Sequence, residues 1–297
     1  MHVWRIETAW ICIISAVTSW TACAEKRTAD PEVDRPKRLV YKTIGDVELH
    51  LHVFEPADRA GADALPAIVF FFGGGWANGT PSQFYPQCNY FASRNMAAFS
   101  AEYRIKNKHG TTPYECVKDG KSAVRWLRVH AGELGIDPER IVAGGGSAGG
   151  HVAAATAMLP DIEEAGEDLS VSSVPNALVL FNPAIDTTGA GYGDDKVGAR
   201  PEELSPAHHV AKHLPPTILF HGTDDATVPF ENAKRFRDLM KAAGNRCELV
   251  PFEGKGHGFF NEHRDAAAFR ETIRAADGFL VSLGFLDPKD AADSAKE

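Results

Sequence analysis

Apolar and polar positions fall into short blocks whose period changes along the chain. Val47, Leu49, Leu51 and Val53 alternate with polar residues, the period-two pattern of a strand with one buried face. Gly45-Asp46 supplies a turn ahead of them, so an early hairpin is expected. Beyond it the alternation gives way to short apolar runs: Ala67–Phe72, Ala97–Tyr103, Arg140–Gly144, Ala177–Phe181, Thr217–His221 and Cys247–Phe252. Such runs suit strands covered on both faces. Between them the spacing becomes helical. Val117, Ala123, Val124 and Leu127 share a face within Cys116–His130, and a Gly/Ala-rich helix starts at Ala148. Glu231–Ala243 is amphipathic, and Ala266–Leu283 is the last helix. The charged tail from Asp287 is expected to fray.

Strands alternating with helices imply an α/β fold, with a mostly parallel central sheet and helices on both faces. The hairpin adds an antiparallel edge. No repeat and no compositional shift marks an internal boundary, so residues 25–297 read as one domain. The longest gap between sheet strands, Ala184–Pro216, spans 33 residues and contains Gly189, Gly191 and Gly193. A loop that long inside a compact domain is expected to serve as a lid.

The first 24 residues change the picture of where this domain works. Arg5, the apolar run Ala9–Val17 and the small-x-small Ala22-Cys23-Ala24 have the layout of a secretory signal peptide. The run is too short to span a bilayer. A buried N-terminal helix and lipidation at Cys23 are the alternatives. Export to the periplasm or beyond is expected, without stable membrane insertion once the signal is gone. Cys12 and Cys23 would leave with it, and Cys88, Cys116 and Cys247 would meet oxidising conditions. Three is an odd number, so at most one bridge forms. Cys88 and Cys116 fall in two early helices and either pair or stay as buried thiols.

Charge narrows the partners. Lys and Arg number 31 and Asp and Glu 40, a net charge of −9. That balance disfavours nucleic acid and anionic lipid surfaces.

Candidate chemistry sits at the ends of the apolar runs. Gly145-Gly146-Ser147-Ala148-Gly149 is a G-x-S-x-G sequence between a buried strand and a helix. A sharp strand-to-helix turn presents the serine there, and only glycine fits on either side. The helix N-terminus behind it favours developing negative charge. A phosphate loop would need Lys-Ser/Thr where Ala148-Gly149-Gly150-His151 stands. Gly73-Gly74-Gly75-Trp76 ends an earlier strand, and consecutive glycines let backbone amides approach a tetrahedral oxyanion. Gly74, Gly75 and the amide of Ala148 are the candidate donors. In triads of this order the acid and then the histidine follow the serine. Asp225, or its neighbour Asp224, follows a late apolar strand, and His257 lies between Gly256 and Gly258 after the last one. His257 would take the serine proton and Asp225 would fix its tautomer.

Other residues carry weaker signals. His50 and His52 alternate along a strand and are expected to face solvent, because no ligand cluster accompanies them. His209 and His213 stand four apart in a plausible short helix, without a metal-binding pattern. Trp76 and Tyr192 either line a substrate pocket or pack in core and loop. Asp119 and Arg125 read as structural or solvated charges, and His151 as packing behind the serine.

Gly73-Gly74-Gly75-Trp76, Gly145–His151, His221-Gly222-Thr223-x-Asp225-x-x-Val228-Pro229 and Gly256-His257-Gly258-Phe259 stand in one order. Together they resemble the α/β-hydrolase fold, and within it the hormone-sensitive-lipase-like esterases and the bacterial feruloyl- and acetyl-xylan-esterase-like group. The resemblance spans about Val40 to Leu283. It implies a catalytic Ser147, Asp225 and His257, with Asp225 preferred over Asp224, and an oxyanion hole of Gly74, Gly75 and Ala148. The family commonly has histidine before the three glycines, where this chain has Phe72, so a differently supported loop is expected. Only a short stretch separates the expected cleavage after Ala24 from the first strand, which implies a small or absent cap and an open pocket for short acyl groups. The expectation is therefore an exported serine carboxylesterase acting on a small ester or acylated carbohydrate, such as acetyl groups on polysaccharide. No metal or organic cofactor is implied. A peptidase or formamidase on the same triad, or a non-catalytic carbohydrate-binding or adhesion module, is the alternative.

Overall fold

A computed structural model of the chain describes Met1 and residues 36–57 and 64–288. The signal-peptide segment, with Cys12 and Cys23, and the end of the charged tail lie outside the described residues.

The elements follow in chain order. They are β1 (Lys37–Ile44), β2 (Val47–Phe54), β3 (Leu65–Phe71), α1 (Tyr85–Ser93), β4 (Ala97–Ala101), α2 (Lys106–His109), α3 (Pro113–Val129), α4 (Ala131–Leu134), β5 (Ile136–Gly146), α5 (Ala148–Met158), β6 (Ala177–Phe181), α6 (Asp194–Val197), β7 (Thr217–Gly222), α7 (Phe230–Ala242), β8 (Cys247–Phe252) and α8 (Ala266–Ser282). Eight strands form one sheet in the order β1-β2-β4-β3-β5-β6-β7-β8. The β1–β2 hairpin pairs antiparallel with itself and with β4, and every pairing from β4 to β8 is parallel. The continuous apolar runs are the interior strands: each residue of β3, β4 and β6 is buried. Helices cover both faces, because a parallel strand returns only through a crossover. This is the α/β-hydrolase arrangement. Residues from Pro36 onward form one compact unit.

Strand β5 is longer than its apolar run. It begins at Ile136, which pairs with Leu65 before the register shifts. The Asp137–Arg140 ion pair at 2.8 Å bridges that irregular start. At its other end β5 runs straight into Ser147 and α5. Helix α3 begins with a capping box, Thr112 and Glu115 bonding reciprocally.

Several sequence expectations change at this level. Cys88, Cys116 and Cys247 are all free and buried, so the Cys88–Cys116 bridge does not form. Cys116 instead donates to the Arg104 carbonyl at 3.1 Å. Burial pushes all three thiols up, Cys247 to about 12, which suppresses their nucleophilicity. Asp119 is fully buried and not solvated: Arg104 and Lys42 each meet its carboxylate at 2.7 Å. Arg125 pairs with Glu163 and Glu167 at 2.7 and 2.8 Å. His50 and His52 do not simply face water. Both reach the Glu102 carboxylate at 3.1 Å, with Arg38 2.7 Å away. Burial pushes the Glu102 carboxyl up, but bonds from the two histidines and the Arg38 charge outweigh it and bring it to about 2. His209 and His213 share no helix face. A 3-10 turn, Pro206–His208, ends at His209, and His213 has φ +65°.

The Ala184–Pro216 segment is a small cap. It holds the four-residue α6 and two 3-10 turns, at Pro201–Leu204 and Pro206–His208.

Candidate active site

Strand β5 ends in three glycines because nothing larger fits there. A Cβ on Gly145 would lie 2.4 Å from the Gly149 carbonyl oxygen, and one on Gly149 2.0 Å from that of Phe71. The turn this permits puts Ser147 at φ +54°, ψ −121°, a region non-glycine residues rarely occupy. Backbone bonds hold it there. The Ser147 amide donates to Phe181 O at 2.9 Å, and its carbonyl accepts from Ala184 and His151.

The Ser147 hydroxyl reaches His257 Nε2 at 2.9 Å, and His257 Nδ1 reaches Asp225 Oδ2 at 2.7 Å. With Nδ1 donating to the carboxylate, Nε2 is left to accept the serine proton. Asp225 rises from the loop after β7, and His257 from the loop after β8. The other Asp225 oxygen accepts the amides of Thr227 and Val228, both at 2.9 Å. His221 Nε2 lies 3.4 Å from the carboxylate and donates to Val228 O at 2.9 Å. Burial alone would push the Asp225 carboxyl up. The bonds from His221, His257 and the Val228 amide outweigh it and hold the group well below the usual carboxylate range. Asp224, by contrast, is exposed and does not meet His257.

The glycine loop after β3 faces the serine. Gly73 donates its amide to Gln83 Oε1 at 2.6 Å, which removes it from the set of free donors. Among the described residues no acceptor is found for the amides of Gly74 and Gly75. Gly74, at φ +128°, passes so close to the Asn78 carbonyl that a Cβ would lie 2.1 Å from its oxygen. Ala148 begins α5, so its amide is one of that helix's free N-terminal donors. The loop is braced as its Phe72 foreshadowed. Tyr103 stacks on the Phe72 ring at 4.2 Å and donates to the Phe72 carbonyl at 2.6 Å. Gln83 continues to Asn261 at 3.1 Å, whose amide donates to Gly258 O beside His257. One hydrogen-bonded chain thus ties the glycine loop to the histidine loop.

These residues open onto a cavity of about 390 Å³, lined by Ser147, His257, Asn182, Tyr192 and Lys196 among others. Tyr192 lies on the wall, one of the two positions the sequence left open for it. Trp76 does not: it is 1% exposed and lies behind Tyr192, their rings 5.7 Å apart. Its indole N–H donates to His151 Nδ1 at 3.2 Å, and His151 Nε2 bonds the Leu204 carbonyl. Trp76 is therefore an internal support for the cap, because its polar atom is satisfied inside. Burial brings the His151 imidazole down to about 4.

Gln83, Asn182, Asn261, Lys196 and Arg264 escape a motif-based reading. Each is an isolated polar residue in a loop or short helix, and only folding brings it to the site.

Known proteins share this arrangement. The family model BD-FAE matches residues 51–190, and that of the dienelactone hydrolase family matches residues 179–284. The carboxylesterase NlhH of Mycobacterium tuberculosis is 30% identical over 256 residues, covering 78% of this chain and 77% of its own. A structure of Thermogutta terrifontis esterase 2, phosphoramylated by tabun, shares 53% identity at a TM-score of 0.83, covering 87% of this chain and 98% of that one. The chain belongs to the α/β-hydrolase esterases, in the hormone-sensitive-lipase-like group. This esterase also resembles a probable isoprenylcysteine alpha-carbonyl methylesterase of Arabidopsis thaliana, 29% identical over 231 residues. The match covers 70% of this esterase but only 48% of that relative, so it spans about half of the plant protein's length.

Proposed function

We propose that the protein is a serine carboxylesterase that cleaves short-chain acyl esters. The observation that carries this reading is the relay of Ser147, His257 and Asp225 at 2.9 and 2.7 Å, opening onto a cavity beside undonated backbone amides. Ser147 Oγ attacks the ester carbonyl carbon as its proton passes to His257 Nε2. The carbonyl oxygen becomes an oxyanion held by the amides of Gly74, Gly75 and Ala148. Asp225 remains a carboxylate and stabilises the imidazolium. Collapse of the tetrahedral species expels the alcohol, which takes the proton from His257. Water then attacks the acyl-enzyme by the same route, giving up its proton to His257, and the acid leaves as Ser147 regains its proton.

The cavity supports small acyl groups and a polar alcohol. Its lining includes Asn78, Gln83, Asn182 and Asn261, with few apolar side chains. Thermogutta terrifontis esterase 2 has been solved with propionate and with butyrate bound, which supports acyl chains of that size here. A polar alcohol side suits acetyl groups on carbohydrate. The layout of residues 1–24 supports export, so the ester would be met outside the cytoplasm.

A chain-length series of p-nitrophenyl esters from C2 to C12, run beside acetylated xylan, tests this. Fast turnover of C2 to C4 and release of acetate from xylan, both lost in Ser147→Ala, is the expected result. Full activity in Ser147→Ala overturns the mechanism, and activity without acetate release overturns the carbohydrate substrate.

A further inference from the structure

Tyr192 lies in the cap, yet its phenol reaches the glycine loop. A Cβ on Gly75 would sit 2.9 Å from Tyr192 Oη and 3.3 Å from Lys196 Nζ. Lys196, one helical turn on, donates to that phenol oxygen at 2.6 Å and lies 4.3 Å from the ring centre. The three hydrogen-bonding positions of the phenol are therefore unequal. One lone pair is taken by an ammonium, which withdraws electron density from the O–H bond. The O–H proton itself meets no acceptor among the described residues. It belongs to a group that lines the same cavity as Ser147, His257 and Gly74.

The segment is shaped to hold it there. Tyr192 donates its amide to Asp186 O at 2.9 Å. A Cβ on Gly191 would lie 1.9 Å from that same oxygen, and one on Gly193 would lie 2.5 Å from the Trp76 ring. Two glycines thus press the tyrosine between the cap's base and Trp76. Arg235 and Ser205 hold the Asp186 carboxylate in turn. Of the three glycines that marked this gap in the sequence, Gly191 and Gly193 are required by this packing, whereas Gly189 has room for a side chain.

We infer that Tyr192 is a catalytic residue: its phenol donates a further hydrogen bond to the oxyanion, beside the backbone amides, and Lys196 is its positioning and polarising partner. The proton stays on the phenol throughout, and only the hydrogen bond strengthens as charge gathers on the carbonyl oxygen. The inference rests on the acyl-enzyme chemistry proposed above. It also gives the lysine a purpose that salt-bridge formation does not, since the group it donates to is a hydroxyl.

The test compares wild type with Tyr192→Phe, Lys196→Met and the double variant, on p-nitrophenyl butyrate. Two inhibitors complete it: an alkyl trifluoromethyl ketone, whose hemiketal carries the oxyanion, and the matching methyl ketone, which stays trigonal. Tyr192→Phe is expected to lower kcat about 10²- to 10³-fold with little change in KM, as for loss of one oxyanion donor. It should weaken the trifluoromethyl ketone by a similar factor and leave the methyl ketone unmoved. Lys196→Met should cost several-fold in the presence of the phenol and nothing further in Tyr192→Phe, and Lys196→Arg should restore part of the rate. A change in KM alone, equal weakening of both ketones, or a Lys196→Met effect that persists without the phenol overturns the inference. A wild-type protein that neither turns over the ester nor binds the trifluoromethyl ketone instead overturns the underlying esterase reading.

Discussion

On the histidine side of Ser147 the site is dry and charged. The Asp225 side chain has no solvent exposure, and two backbone amides and two imidazoles surround it. On the other side the donors are uncharged glycine backbone open to the cavity, with the Lys196 ammonium beside Tyr192 as the neighbouring charge. Its loop is steadied at a distance by Gln83 and Tyr103. The difference follows from what each half must do. A carboxylate that stabilises an imidazolium gains from a low-dielectric surrounding, provided its own bonds are complete. An oxyanion forms only on the substrate, so its donors must wait unpaired, facing the cavity that the substrate enters. The charged half is fixed by local sequence, within His221–Val228 and at His257. The neutral half depends on residues from α1's approach, β4's exit and the histidine loop.

Breaking the charged half should have the largest effect. Asp225→Asn keeps an acceptor for Thr227 and Val228 but presents an N–H to His257, forcing the wrong tautomer. A fall in kcat of roughly 10³- to 10⁴-fold is expected, read by steady-state kinetics with intact folding checked by circular dichroism. Less than tenfold would mean that the acid half acts by packing alone. On the neutral side, Gln83→Met frees the Gly73 amide and cuts the chain to Asn261. A loss of about tenfold in kcat with a modest change in Tm is expected, since the glycine donors remain but lose their brace. An unchanged kcat would show the loop to be held by Tyr103 alone.

The last effect falls on stability and not on turnover, in His151 beneath the cap. Its folded pKa, near 4, lies below the ordinary 6.5. Between those values the unfolded chain binds more protons than the folded one, so stability falls as pH falls through that window. The full contribution is about 3 kcal/mol. Urea unfolding from pH 7 to 4 should show a shallower decline in His151→Gln than in wild type. Parallel curves would place the acid sensitivity elsewhere.

How much could be read in advance divides along the same line. Strand runs such as Ala177–Phe181 were legible because burial on both faces leaves only apolar residues. Ser147 and His257 were legible because each needs glycine at set positions around it, whereas spacing alone left Asp224 and Asp225 open and only the resemblance to the family preferred Asp225. Trp76 stayed open for a physical reason: an aromatic after a glycine loop fits a pocket wall as well as a buried support, and only its burial against His151 decides. Gln83 and Asn261 left no trace, since a single polar side chain acting across 10 to 178 residues has no local pattern. The Cys88–Cys116 question was open because helical placement says nothing of the distance between two sulfurs.

The backbone at Ser147 has one more consequence, and it concerns time. Its unusual φ and ψ are imposed by β3, β6 and α5 through Phe71, Phe181 and Ala184. His257 and Asp225 arrive only when β7 and β8 have joined the same sheet. No shorter stretch of chain can hold that geometry, so a nascent or partly unfolded polypeptide carries an ordinary, unreactive serine. The nucleophile comes into being with the last strands of the sheet, and the chain is chemically silent until it is whole.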